Sequence, residues 1–366
     1  SLKTLNKLTM VKIRQGKYQD AQKYIEKADK FAKEPVNIHT ADLYRNKGFL
    51  AAINNDSSKA KSWLSHAINI YDSLGEKAKL NKAEALCYVG VLHSTNEDVM
   101  DIPKAGKAFS ESISIYEELD PENDGLPYAL YHMAAMTLNN GNLDLANILM
   151  NRVKKLYQKE ENNHGLAEAL YTLGMIDYQQ GMSLNEKGLY YYQKSHFESA
   201  DKNLEQAASI RKMVVGNNSP RVADILNVQA LANAQIGFNN MGGLLYNIKS
   251  LKKAEKLFKE AINIYSNIED IEELKSNQLS LANTLVNYAQ FKYRWNRDGV
   301  DAIPMMKIAL KIYNAQKGPE SEESKMVINA VQRMIPKSWG EKIVKEQNEL
   351  IKHPEKIDKT PVVVEF

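Results

Sequence analysis

Seven times along the chain an alanine is followed four residues later by a large apolar side chain and three residues after that by a third, mostly small one. The alanines are Ala21, Ala60, Ala105, Ala146, Ala200, Ala254 and Ala302. The large residues are Ile25, Leu64, Phe109, Met150, Leu204, Phe258 and Met306, and the third set is Ala28, Ala67, Ser112, Val153, Ala207, Ala261 and Ala309. A spacing of 0, +4, +7 lies on one stripe of an α-helix. Small residues at its two ends let another helix approach closely, and the bulky one between them fills the gap.

Upstream of each such helix runs a second stripe. A bulky residue (Leu5, Tyr44, Leu86, Leu130, Leu170, Leu226, Leu285) stands four before a small one: Gly48, Gly90, Ala134, Gly174, Ala230 or Ala289, with Thr9 the departure in the first unit. Glycine inside a helix costs about 1 kcal/mol relative to alanine. Its return at one register therefore calls for a packing reason, and close helix–helix contact supplies one. The pentapeptide Ala-Ile-Asn-Ile-Tyr, identical at 67–71 and 261–265, is the second half of the downstream stripe, with "SISIYEEL" and "ALKIYNAQ" as its relatives.

Small at position 8, alanine at 20, large apolar at 24 and alanine at 27 of a helix-turn-helix unit resemble the tetratricopeptide repeat. The fourth unit, "YALYHMAAMTLNNGNLDLANILMNRVKKLY", has Leu130, Ala134, Gly141, Leu143, Ala146, Met150 and Val153 all in register. The long period and the "IYDSLGE" ending resemble the subclass of kinesin light chains and bacterial sensor and regulator proteins. The resemblance implies an all-α, right-handed superhelical solenoid of about seven hairpins over 1–316, with units near 2–33, 37–74, 78–119, 126–160, 166–215, 220–268 and 277–316.

The alanines at the head of the stripe are 39, 45, 41, 54, 54 and 48 residues apart. In units five and six about 14 and about 12 extra residues separate the two stripes. Fourteen residues shared between two helices add about two turns to each and keep the stripes in phase. The sequence therefore predicts two adjacent elongated hairpins, tipped near Gly188 and Gly242-Gly243, with apolar Leu189, Tyr190 to Tyr192, Leu244, Leu245 and Tyr246 arguing against loose loops. Beyond the array, residues 317–352 read as a capping pair of helices, one capped by Ser321 and ending near Met334, the next capped by Ser338 after the break at Pro336. Residues 353–366, "HPEKIDKTPVVVEF", read as a flexible tail; its strand-like end also resembles a peptide that such a groove would bind.

Charge argues against a nucleic-acid partner: 48 Lys and Arg against 45 Asp and Glu leave only +3. The exception is 1–33, with nine bases against three acids, which reads as a solvated helix face. The lone Cys87 excludes a disulfide framework and favours a cytoplasmic setting; a chain starting at Ser1 leaves room for a removed organellar, periplasmic or secretory leader or anchor. No run approaches the roughly 20 apolar residues that cross a bilayer. No phosphate loop, dinucleotide turn, zinc motif or nucleophile elbow is present. Of seven scattered histidines His93 has an acidic neighbour at helical spacing, Glu97, which alone makes no metal site, and Cys87 has no adjacent base. The expectation is a non-enzymatic protein without catalytic residues, metal or cofactor.

By the resemblance, positions 2, 5, 6, 9, 12 and 13 of the first helix of each unit face a concave groove. They place Tyr128, Tyr131 and His132, then Tyr171 and Tyr178, then Asn227, and then Asn287, Gln290, Tyr293 and Arg294 on that face. Asn and Gln clamp an extended main chain through paired donors and acceptors, and Tyr offers rigid apolar area with a polar tip. A carboxylate clamp of the chaperone-binding type is excluded, because Lys3/Lys7, Asp42/Asn46 and Glu84/Tyr88 put acids where bases are needed. The expected function is a scaffold or adaptor holding a peptide or protein segment in the groove. The alternatives are a ligand-responsive regulator, or an assembly factor acting through the elongated hairpins.

Overall fold

The computed structural model describes residues 1–14, 17–32, 37–186, 190–239, 246–296, 301–334 and 337–364. Gly188, Leu189, Gly242-Gly243, Leu244, Leu245, Pro336 and Phe366 lie outside these residues, as do the side chains of Tyr190 to Tyr192.

The chain forms two units, Ser1–Glu160 and Glu161–Phe366. In the first, α1 (Leu2–Arg14), α3 (Ile38–Ile53), α5 (Lys79–Thr95) and α7 (Gly125–Asn139) are the leading helices of hairpins. Each pairs with the helix that follows it: α2 (Tyr18–Asp29), α4 (Ser57–Leu74), α6 (Ile102–Leu119) and α8 (Leu143–Lys159). In the second unit the pairs are α9 (Asn163–Glu186) with α10 (Tyr190–Val215), and α11 (Pro220–Phe238) with α12 (Ile248–Ser266). A short α13 (Ile271–Ser276) then leads into α14 (Gln278–Asn296), which pairs with α15 (Ala302–Gln316). Leading helices also touch one another: α1–α3, α3–α5 and α5–α7 in the first unit, α9–α11 and α11–α14 in the second.

The stripe residues are the core. All seven leading alanines are 0% exposed, and none of the large residues four positions on exceeds 3%. In three hairpins the glycine of the leading helix meets the large residue of its partner: Gly48 with Leu64, Gly90 with Phe109 and Gly174 with Leu204. A Cβ on Gly174 would stand 2.4 Å from Leu204 Cγ, and one on Gly90 2.6 Å from Phe109 Cε1. Full burial of such a Leu or Phe stabilises by about 1.5–3 kcal/mol, and at Gly90 and Gly174 the missing Cβ leaves the room that it fills.

The elongation at unit five obeys the same rule one heptad further along. Gly181 faces Phe197, seven residues beyond Gly174 and seven before Leu204, with a Cβ-to-ring distance of 2.7 Å. Helices α9 and α10 reach 24 and 26 residues. Unit six differs from the sequence expectation of two added turns per helix: α11 and α12 are 19 residues each. Gly237 does meet Leu251, with a Cβ-to-Cδ2 distance of 2.4 Å, and the expected tip of this hairpin lies outside the described residues. The Asn247 amide donates to the Gly237 carbonyl at 2.9 Å, and Asn247 Oδ1 caps α12 by accepting from the Ser250 amide. Asp56, Asp101 and Asn142 cap α4, α6 and α8 in the same way.

The second unit is closed by α16 (Glu322–Met334) and α17 (Lys337–Lys352). Ser321 caps α16, accepting from the Ser324 amide at 3.2 Å. Helix α17 is described from Lys337 onward, and the side chain of Ser338 lies outside the described residues. A buried knot ties α15 to both: the carboxamides of Asn314 and Gln347 exchange two bonds of 2.9 Å, and Ser324 Oγ donates to Asn314 Oδ1. The tail does not run free. Asp358 pairs with Lys311 at 2.8 Å, Val362 is hydrogen-bonded to Gln278, and Val364 is only 8% exposed within the core cluster of this unit.

Candidate functional site: the faces of the leading helices

In the first unit an aromatic ladder crosses three leading helices. Phe49 of α3 packs on Tyr88 of α5 (4.3 Å between centroids), which meets Tyr128 of α7 edge-on at 6.3 Å. Tyr128 in turn meets His132 at 4.3 Å, and Tyr131 meets the same imidazole at 5.5 Å. The three α7 residues expected from the sequence are thus brought together around one histidine. Burial pulls the His132 pKa down to about 4, so the ring is neutral at physiological pH.

Beside the ladder lies a cavity of about 650 Å³ lined by α1, α3 and α5. Its polar floor is a network that the sequence does not reveal. Arg45, 5% exposed, pairs with Glu84 at 2.7 Å and with Asp42 at 3.4 Å. Asp42 also accepts from Tyr71 Oη (2.8 Å) and Asn81 Nδ2 (2.9 Å). Burial opposes the Arg45 charge, but Glu84, Tyr71 and Asp42 outweigh it and hold the guanidinium ionised. Asn6 closes the far side, donating Nδ2 to the His39 carbonyl at 2.7 Å while its buried Oδ1 has no partner. Asp42 and Glu84, read in the sequence only as residues that spoil a carboxylate clamp, here share Arg45 as their partner. The available signal is an acid at the second leading-helix position of consecutive units with an arginine one turn on.

In the second unit Asn287 Nδ2 of α14 donates to Asn227 Oδ1 of α11 at 3.2 Å, joining two expected site residues on neighbouring leading helices. Tyr178 packs against Phe197 (5.7 Å) and is hydrogen-bonded to Gln235 of α11, while half-buried Tyr171 packs against the core cluster. Exposed Gln290 lines a cavity of about 350 Å³ with Arg333 and its α16 neighbours, and Tyr293 Oη donates to the Arg333 carbonyl at 3.3 Å. Arg294 lies over the Phe238 ring at 4.2 Å and donates to Asn239. Tyr171 and Arg294 are thus largely engaged in packing; the Asn227–Asn287 pair and Gln290 present polar groups at the surface of the face.

Cys87 is buried and its thiol is pushed far above the ordinary range by desolvation. The His93 ring donates to the Val99 carbonyl at 2.7 Å, so its bond is made there and not to Glu97. Among the described residues no three His, Cys, Asp or Glu side chains converge on a point that would hold a metal, and no helix is long and apolar enough to cross a membrane.

A family profile described as tetratricopeptide repeat matches residues 180–221, the second half of the elongated hairpin and its outlet. No curated protein matches the sequence. Among solved structures, RapI in its apo form is similar over 97% of this chain and 87% of its own, at 13% identity and a TM-score of 0.65. A signal-transduction ATPase with numerous domains and a tetratricopeptide repeat sensor, from Pyrococcus horikoshii, is similar over 90% of this chain but only 43% of its own (15% identity, TM-score 0.60). BtubC from P. vanneervenii is similar over 70% of this chain and 91% of its own, with 18% identity and a TM-score of 0.52. At these identities the likeness concerns the fold alone. The fold is that of the tetratricopeptide-repeat proteins: an all-α solenoid built from helical hairpins whose small and large stripe residues interlock.

Proposed function

We propose that the chain is a non-catalytic scaffold that binds an extended protein segment on the faces of its leading helices. The observation that carries this reading is the Asn227–Asn287 pair. Its single bond uses one donor and one acceptor and leaves Asn227 Nδ2 to donate to a main-chain carbonyl and Asn287 Oδ1 to accept from a main-chain amide. In the first unit the Tyr131–His132–Tyr128 group supplies apolar area with polar tips next to the cavity over Arg45. Affinity capture with Asn287→Ala and Tyr131→Ala beside the unaltered chain tests the reading. Partners that depend on the faces drop at least tenfold in one variant or the other; retention of every partner by both variants removes the proposal.

A regulatory role is favoured by one likeness. The Pyrococcus horikoshii protein is described as having a tetratricopeptide repeat sensor, and this chain spans 43% of that protein. In that reading the bound segment is a signal, and binding changes the hydrogen-exchange protection of leading helices that do not touch it. Action through the elongated α9–α10 hairpin is the remaining alternative. Deleting residues 181–196 while leaving the leading-helix faces intact separates hairpin from face.

A further inference from the structure

Gln278, the first residue of α14 and 2% exposed, spends both ends of its carboxamide on one residue of the tail. The Val362 amide donates to Gln278 Oε1 at 2.7 Å, and Gln278 Nε2 donates to the Val362 carbonyl at 3.0 Å. This two-bond ring is what the facing residue of an antiparallel strand would form. It touches only main-chain atoms, so it recognises an extended backbone and does not read the side chain.

Side-chain selection is done on either side of that ring. Val362 packs against the apolar cluster of the unit, Val363 is 54% exposed, and Val364 is 8% exposed. In, out, in is the period of a strand. Pro361 precedes the clamped amide and biases Thr360 toward an extended conformation. Towards α17 the grip loosens. Residues Lys356 to Asp358 border a cavity of about 320 Å³ against α15 and α17, and the polar tie there is the exposed pair Lys311–Asp358. Residues 353–356 and 358–360 are themselves exposed. The firm contact is therefore confined to Val362 to Val364, at the end of a span that stands off the surface.

We propose that Gln278 and the apolar cleft beside it form a binding site for an extended segment of a partner protein with β-branched residues at alternate positions, and that the tail is its occupant in cis. The site is separate from the Asn227–Asn287 face, and the proposal does not depend on the reading given there. A tethered occupant competes at an effective concentration on the order of millimolar, so a partner segment of the same chemistry enters only when the tail is displaced.

The test uses the whole 366-residue chain with the tail displaced by two independent changes. Val362→Pro removes the amide donor, and Val364→Asp puts a charge where the cleft is apolar. The probe is a fluorescein-labelled, C-terminally amidated peptide of residues 356–364, KIDKTPVVV, followed by anisotropy. Both variants bind it at least tenfold more tightly than the unaltered chain, with the same helical circular dichroism, and adding Gln278→Ala to either returns binding to the unaltered level. Three outcomes overturn the proposal: equal binding by the unaltered and displaced chains, binding that survives Gln278→Ala, or loss of helix in both variants, which would make the tail an integral strut.

Discussion

Tyr265 Oη, on the last residue of the repeated Ala-Ile-Asn-Ile-Tyr phrase, donates to Asp224 Oδ1 at 2.5 Å. The same relation links Tyr71 to Asp42 at 2.8 Å and Tyr313 to Asn283 at 2.5 Å. In each hairpin the tyrosine stands four residues after the small stripe residue, and its acceptor stands two before the bulky residue of the leading helix. The phrase thus encodes a latch across the open end of the hairpin. Burial first, and Asp224 second, hold the Tyr265 hydroxyl protonated far above its ordinary pKa.

Tyr265→Phe keeps the ring in the core and leaves half-buried Asp224 without its donor. Losing one partner of such a bond costs about 1–3 kcal/mol. The expected result is a loss near the lower end, with Asp224→Asn, which keeps an acceptor, nearer neutral. Urea unfolding followed by circular dichroism reads both. Equal midpoints for Tyr265→Phe and the unaltered chain would show that the latch contributes nothing.

Unit five replaces the latch tyrosine with Arg211, 1% exposed, and its acceptor is Glu168 at the expected position, with His164 and Arg221 gathered around. Arg211→Leu strands Glu168 with Arg221 alone. Breaking a buried ion pair costs about 3–5 kcal/mol, and the exposure of Glu168, 27%, brings the expected loss to roughly 2 kcal/mol. Arg211→Tyr restores the donor found in the other hairpins, so it should recover a measurable part of that loss. If the tyrosine variant is the less stable of the two, the register equivalence is wrong.

Periodic features were legible in the sequence because a helix stripe repeats every few residues: Ala200, Leu204 and Gly174 are recognisable before any contact is known. What was not legible depends on polar groups meeting across repeats. Nothing local in Arg45 announces that Glu84 lies 2.7 Å away, and Gln278 is separated from Val362 by 84 residues. The length of the sixth hairpin escaped for a related reason. Its heptad step from Ala230 to Gly237 is encoded, but the backbone bond from the Asn247 amide to the Gly237 carbonyl joins residues ten apart and has no side-chain signature. Of the residues placed on the leading-helix face, Tyr128, Tyr131 and His132 lie against one another, whereas Arg294 is drawn onto Phe238, a stacking partner 56 residues away in the chain.

Gly174→Ala and Gly106→Ala should act in opposite directions, although both lie within helices. At Gly174 the new methyl would stand 2.4 Å from Leu204 Cγ, so overpacking costs about 1–3 kcal/mol. At Gly106 the nearest atom is Met136 Cε at 3.8 Å, and the helix preference for alanine contributes about 1 kcal/mol of added stability. Thermal unfolding of the two variants side by side checks the signs. A destabilised Gly106→Ala would mean that α6 has a neighbour at that face.

The last prediction concerns pH. His132 titrates near 6.5 in an unfolded chain, but its burial against Tyr128 and Tyr131 lowers that to about 4 in the folded one. Between those values the unfolded chain binds the extra proton, so stability falls as pH falls from 6.5 towards 4 and levels off below. The gap corresponds to at most about 3 kcal/mol, and partial solvent access to the ring brings the expected effect to roughly 1–2 kcal/mol. Carboxylates also titrate in this range, so the measurement is a difference: urea midpoints of the unaltered chain and of His132→Gln at pH 7.5 and pH 4.5. The glutamine variant should lose less stability between the two. Parallel losses would show that the imidazole is already solvated in the folded chain, and would remove the argument that α7 presents a neutral ring to a bound segment.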